Sequence, residues 1–191
     1  MRTWALSLAI IIGLADPPTT QSADISQPVD IDFRIEALSE NLTQKTVIQT
    51  YQDSRGLLWF LTQEGLNKYN GYALENFRYS PSDDSSISSN EVTRITEDNA
   101  GNLWISTFGG GLNLYDPITG VFSTLLTTDN RDQSPYSNYI STAFTDRAGI
   151  IWLGYKNAIS TFDPETRQFS HFVSGMNGVP SLGLVNRFTQ T

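Results

Sequence analysis

The sequence predicts an all-β chain folded as a β-propeller, incomplete, with about three four-stranded blades and the start of a fourth. Three observations predict it. A string recurs without gaps as Asp53-Ser54-Arg55-Gly56-Leu57-Leu58-Trp59-Phe60, as Asp98-Asn99-Ala100-Gly101-Asn102-Leu103-Trp104-Ile105 and as Asp146-Arg147-Ala148-Gly149-Ile150-Ile151-Trp152-Leu153. The tryptophans stand 45 and 48 residues apart, which suits a four-stranded blade and is far too long for a coiled-coil heptad or a leucine-rich repeat. Around each tryptophan the chain is apolar on successive residues instead of alternate ones, as expected of a strand in a sheet covered on both faces.

In chain order, the N-terminus reads as an export signal over residues 1–23. Arg2 precedes the 11-residue apolar run Trp4 to Leu14, and small residues allow cleavage after Ala15 or near Ser22-Ala23. That run is about half the ~20 residues a membrane-spanning helix needs. A lead-in over 24–45 contains Phe33, which stands 20 residues ahead of Asp53, much as Phe77 stands 21 ahead of Asp98, so an outer strand is expected near Phe33. Blades are expected at 46–90, 91–138 and 139–178.

Within each blade the four strands follow from local chemistry. A β-branched residue six positions before each aspartate (Val47, Val92, Ile140) opens the first strand. Asp-x-x-Gly then closes a hairpin, the carboxylate binding turn amides and the glycine taking positive φ. The tryptophan strand comes second. A third strand runs through Gly65-Leu66-Asn67-Lys68-Tyr69, Gly111-Leu112-Asn113-Leu114-Tyr115 and Ala158-Ile159-Ser160-Thr161-Phe162. Asn70-Gly71 suits a two-residue hairpin, whereas Asp116-Pro117-Ile118-Thr119-Gly120 and Asp163-Pro164-Glu165-Thr166 make longer turns. Outer strands carry Phe77 and Tyr79, Phe122, and Phe169 and Phe172. Val185 and Phe188 fall in register with Val92 and Ile95, so 179–191 is expected to hold the first strand of a fourth blade that stops in mid-course, about half a ring in all.

The composition narrows the function. With 12 Lys+Arg against 20 Asp+Glu, a net charge of −8 and no basic block, the chain offers no electrostatic footprint for nucleic acid. Without cysteine there is no disulfide scaffold, thiolate zinc site or thiol nucleophile. At 39% apolar, 12% aromatic and 17% charged, the chain is expected to fold.

The repeats resemble the two-component regulator propeller family, whose blades read roughly V-x-x-I-x-x-D-x-x-G-x-L-W-I-G-T-x-x-G-L-x-R-Y-D-P-x-T-G-x-F. Val92 through Phe122 follows that string almost throughout, and the likeness extends over about residues 33–191. It departs at the Gly-Thr pair, where glycine is replaced by Leu61 and Ser106 and kept as Gly154, while threonine is kept as Thr62 and Thr107 and replaced by Tyr155. Those changes bear on how closely neighbouring strands approach. The resemblance implies the extracytoplasmic, hence exported or periplasmic, input of a hybrid histidine kinase or a diguanylate cyclase. It also implies further blades and a membrane-linked output region as partners.

The chemical candidates are few. Asp53, Gly56, Trp59, Asp98, Gly101, Trp104, Asp146, Gly149 and Trp152 recur in phase and are read as structural, with the tryptophans packed between blades. His171 is the single histidine and cannot by itself build a metal site or a general-base pair. Asp83-Asp84 lacks the glycine and spaced carboxylates of a calcium loop, and Gly109-Gly110-Gly111 lacks the lysine and helix of a phosphate cradle. Asn41-Leu42-Thr43 satisfies a glycosylation pattern and is given no further role. No catalytic residue, metal or cofactor is expected. Ligand-binding candidates lie on the loops joining second to third strands, Gln63, Glu64, Phe108, Tyr155, Lys156 and Asn157, with the stretches Ser80 to Asn90 and Thr127 to Asn138 beside them. Their rings and amides suit a glycan or a peptide. The expected function is a non-enzymatic ligand-sensing propeller of an envelope signalling receptor. A propeller lyase or hydrolase, and a structural module whose half-rings close by dimerisation, are the alternatives.

Overall fold

The computed structural model describes residues 41–188, which fall within one compact unit. The expected signal segment and the strand near Phe33 lie outside the described residues. Among the described residues there are twelve strands: β1 Val47–Gln52, β2 Leu58–Thr62, β3 Gly65–Tyr69, β4 Leu74–Phe77, β5 Val92–Glu97, β6 Leu103–Thr107, β7 Leu112–Tyr115, β8 Phe122–Leu125, β9 Thr142–Thr145, β10 Ile151–Gly154, β11 Ala158–Asp163 and β12 Gln168–Val173. They form three four-stranded sheets, β1–β4, β5–β8 and β9–β12, each antiparallel with neighbours in chain order. The sheets are not closed into a ring. Among the described residues the single helical element is a 3₁₀ turn over Arg131–Gln133.

Each β1–β2-type hairpin is built by its aspartate. Asp98 Oδ1 accepts from the Ala100 and Asn102 amides at 3.0 and 2.9 Å, and Gly101 sits at φ +81°. Only glycine adopts that conformation without strain. Oδ2 then accepts the Trp104 indole N–H at 2.8 Å. Asp53 with Trp59 (2.9 Å) and Asp146 with Trp152 (2.7 Å) repeat the arrangement. The carboxylate therefore ties turn to strand, a bond that explains why aspartate and tryptophan keep a six-residue spacing.

The tryptophans then reach across to the next sheet. Trp59 meets Tyr115 of β7 edge-on at 5.1 Å, and Trp104 meets Phe162 of β11 at 5.0 Å. Trp59 is 0% and Trp104 2% exposed, and large apolar side chains buried this way each contribute roughly 1.5–3 kcal/mol. Two cores result, one between the first and second sheets and one between the second and third. All five residues of β6, in the middle sheet, are buried: Leu103, Trp104 and Ile105 as apolar side chains, Ser106 and Thr107 with their hydroxyls hydrogen-bonded.

Backbone links carry the register from one repeat to the next. Ile140 N donates to Thr107 O at 3.2 Å, and Val185 N donates to Tyr155 O at 3.0 Å at the equivalent place. Thr93 Oγ1 donates to Ile140 O at 2.9 Å, and Ser141 Oγ to Val185 O. Residues 179–188 form no strand ladder, yet Val185 occupies the slot of a first-strand residue, and the Phe188 ring lies tilted against Trp152 at 6.4 Å. The Asn70–Gly71 hairpin is displaced from the expected position. Tyr69 pairs with Leu74, and Asn70 opens the turn, its N–H bonding Ala73 O at 3.3 Å and its Oδ1 accepting the Tyr72 and Ala73 amides, so that Gly71 (φ +94°) and Tyr72 are the two central residues.

Candidate functional site: an aromatic cleft between two repeats

Four of the six sequence-selected binding candidates converge. Phe108, Tyr155, Lys156 and Asn157 line one cleft of about 500 Å³, joined by Tyr136, Ser137, Tyr139 and Leu184. Phe108 comes from the β6–β7 loop, and Tyr155 to Asn157 from the β10–β11 loop. The connector from β8 to β9 closes the wall between them. That connector is held down by backbone bonds from the β6–β7 loop: Gly109 N and Gly111 N donate to Asn138 O, both at 3.0 Å.

The walls are aromatic. Phe108 and Tyr139 meet edge-on at 5.0 Å and remain 48% and 58% exposed. Tyr136 and Tyr155 meet at 5.6 Å deeper in, with the Arg131 guanidinium over the Tyr136 ring at 5.7 Å and its Nη1 donating to the Tyr136 carbonyl at 2.8 Å. Tyr155 replaces the threonine that in the other repeats bonds to a loop carbonyl, as Thr107 Oγ1 does with Gly111 O at 2.9 Å. Its hydroxyl, near Ser160 and the Tyr136 carbonyl, closes no well-formed hydrogen bond, and burial raises its pKa to about 12. Lys156 is the one charged side chain lining the cleft and forms no ion pair among the described residues.

Gln63 and Glu64 stand apart from this cleft. Gln63 lines a separate recess of about 330 Å³ with Ile48, Arg94 and the other side of Phe108, and Glu64 lies 3.8 Å from Arg78. Tyr139 and Leu184 were not legible as cleft residues. The Tyr136-Ser137-Asn138-Tyr139 spacing was the available signal, since one ring turns inward and the other flanks Phe108.

His171 takes a structural position. In the first two repeats a buried third-strand asparagine clamps the preceding connector: Asn67 Oδ1 accepts Thr43 N at 2.9 Å, and Asn113 Oδ1 accepts Ser88 N at 3.0 Å. The third repeat has Ser160 there, and His171 bridges instead, with Nδ1 2.7 Å from Ser160 Oγ and Nε2 2.8 Å from Arg131 O. Asp83 Oδ1 accepts from the Ser85 hydroxyl and from the Ser85 amide at 2.9 Å, and the hydroxyl bond first, then the amide bond, holds its pKa down. Among the described residues no group of three or more acidic or histidine side chains is placed to hold a metal ion.

Three four-stranded sheets in tandem, each with an aspartate–tryptophan corner, packed through aromatic contacts and bearing an aromatic cleft, define a repeat protein of the propeller class. Within that class, the sequence model described as two component regulator propeller matches residues 86–109, from the connector ahead of β5 to the β6–β7 loop. Residues 86–109 thus carry the two-component regulator propeller repeat. A histidine kinase P4 of Formosa agariphila is 43% identical over 49 residues, which is 26% of this chain and 4% of that protein. The extracellular domain assigned to the hybrid two-component system BT3049 of B. thetaiotaomicron is 29% identical with a TM-score of 0.64, over 72% of this chain and 20% of that one. The corresponding domain of BT4673 is 25% identical with a TM-score of 0.57, over 68% and 18%. The chain thus spans about a fifth of either solved domain.

Proposed function

We propose that this chain is part of an extracytoplasmic sensor propeller, with blades at 46–90, 91–138 and 139–178, that binds a glycan or peptide in its aromatic cleft and performs no chemistry on it. The observation that carries this reading is the half-exposed Phe108–Tyr139 pair at the mouth of a cleft floored by Tyr136 and Tyr155. Rings left open to solvent on a rigid frame stack against sugar faces or peptide side chains at low ordering cost. Relatives drawn from hybrid two-component systems and a histidine kinase support an exported input domain, with a membrane-linked kinase output in preference to a cyclic-di-GMP one. The apolar leader after Arg2 supports export.

The test is a calorimetric screen of the full chain against neutral and charged oligosaccharides and short peptides. Saturable binding that weakens about tenfold in Phe108→Ala or Tyr139→Ala is expected, the worth of one stacked ring. A screen without binders, or binding indifferent to both substitutions, overturns the reading.

A further inference from the structure

We infer that the inner groove along β5 and β9 is a second ligand site, for an oxyanion bearing carboxylate, sulfate or phosphate groups, read by Arg94 and Arg187. The groove encloses about 700 Å³. Four residues lining it hold the same position in successive repeats, four before the turn aspartate or in register with it: Gln49, Arg94, Thr142 and Arg187. The fold therefore turns this repeat position toward the groove each time, and two of its four occupants are arginine.

Neither arginine is neutralised. The ion pairs among the described residues join Arg55 to Asp53, Lys68 to Glu75 and Arg78 to Glu64. Arg94 donates only to the carbonyl of its neighbour Thr93, at 2.9 Å. In a chain with eight more acidic than basic residues, two unpaired guanidinium groups on one groove stand against the overall balance. The carboxylates that do line the groove are committed elsewhere. Asp146 accepts two turn amides and the Trp152 indole. Glu97 accepts from the Ser54 amide at 2.9 Å and from the Ser54 and Tyr51 hydroxyls. Both carboxylates stay charged but bind donors of other residues, and among the described residues neither forms an ion pair with Arg94 or Arg187, whose remaining N–H groups are open to an external acceptor. A guanidinium suits such an acceptor because its planar fork can bond two oxygens at once. Arg94 also lines the adjoining recess with Gln63, so it stands where the groove meets that end of the repeats.

This site is independent of the aromatic cleft, and its test needs no cleft ligand. Full chain at low ionic strength, where screening is weak, is titrated calorimetrically with sodium sulfate and with sodium succinate, against sodium chloride at equal ionic strength. At least one oxyanion is expected to bind saturably, with Arg94→Gln and Arg187→Gln each weakening it about tenfold, the worth of a charged hydrogen bond. Arg167→Gln, which removes the same charge from a distant turn, is expected to bind as the unmodified chain does. Absence of saturable binding by both anions, or an equal loss in Arg167→Gln, overturns the inference. Should Arg94→Gln fail to fold, Arg187→Gln carries the test, because that exposed side chain has no hydrogen bond among the described residues.

Discussion

The indole N–H of Trp104 donates to Oδ2 of Asp98 at 2.8 Å, while Oδ1 of the same carboxylate gathers the Ala100 and Asn102 amides. One side chain thus fixes the turn, the rotamer of the tryptophan and, through it, the contact with Phe162 in the next sheet. Asp98→Asn keeps one acceptor and presents an amide N–H₂ to the indole or to the turn. We expect a loss of about 2–3 kcal/mol, the cost of an unmet buried donor beside a lost charged bond. Urea unfolding followed by tryptophan fluorescence checks it, and a change under about 0.5 kcal/mol would remove this bond from the account.

Alkali is expected to unfold the chain through two tyrosines. Burial raises Tyr155 to about 12, and burial followed by the Glu97 carboxylate raises Tyr51 to about 12. Both exceed the unfolded value of about 10, so their contribution is complete below pH about 10 and is lost as pH rises through about 12. Absorbance titration of the eight tyrosines should show two ionising late, together with loss of β-sheet circular dichroism. In acid the sign reverses. The Trp152 indole bond and turn amides hold Asp146 below its ordinary value, so its contribution disappears as pH falls through that lowered value.

Gly154→Ala should free the segment around Val185. A Cβ there would lie 2.6 Å from Thr142 Cγ2 and 2.7 Å from the Val185 carbonyl. With no room for a methyl group, overpacking costs about 1–3 kcal/mol unless the segment moves. Faster hydrogen exchange at the Val185 amide and a shifted Trp152 emission are expected. Unchanged exchange would show that the segment tolerates the methyl in place.

His171→Ala should loosen the connector without unfolding the sheets. The bridge from Ser160 to the Arg131 carbonyl is lost, and with it an anchor for the loop that presents Tyr136. Exchange protection over residues 127–138 is expected to fall by about 1–2 kcal/mol, while that of β10 and β11 is retained. Equal loss in both would make His171 a general core residue.

Much of this was readable from residues in one dimension. The Asp-x-x-Gly corners, the buried second strand and the pairing of successive strands depend on local turn chemistry and on apolar runs, and local chemistry is written in order along the chain. The cleft was half readable. Loop position selected Phe108, Tyr155, Lys156 and Asn157, but the same rule selected Gln63 and Glu64, whose loop faces the other side of Phe108. Nothing local distinguishes Lys156 from Glu64.

Residue order alone fixes the repeat, the succession of strands and the corner that joins the first two strands of each sheet. It takes the folded molecule to bring Tyr136 and Tyr139 against rings from two different loops, to set His171 in place of an asparagine clamp, and to put Arg94 and Arg187 on one groove. Each of these is a meeting of residues distant in the chain. It depends on how sheets stack and twist against one another, and that geometry is set by the packing of both cores at once and not by any one segment.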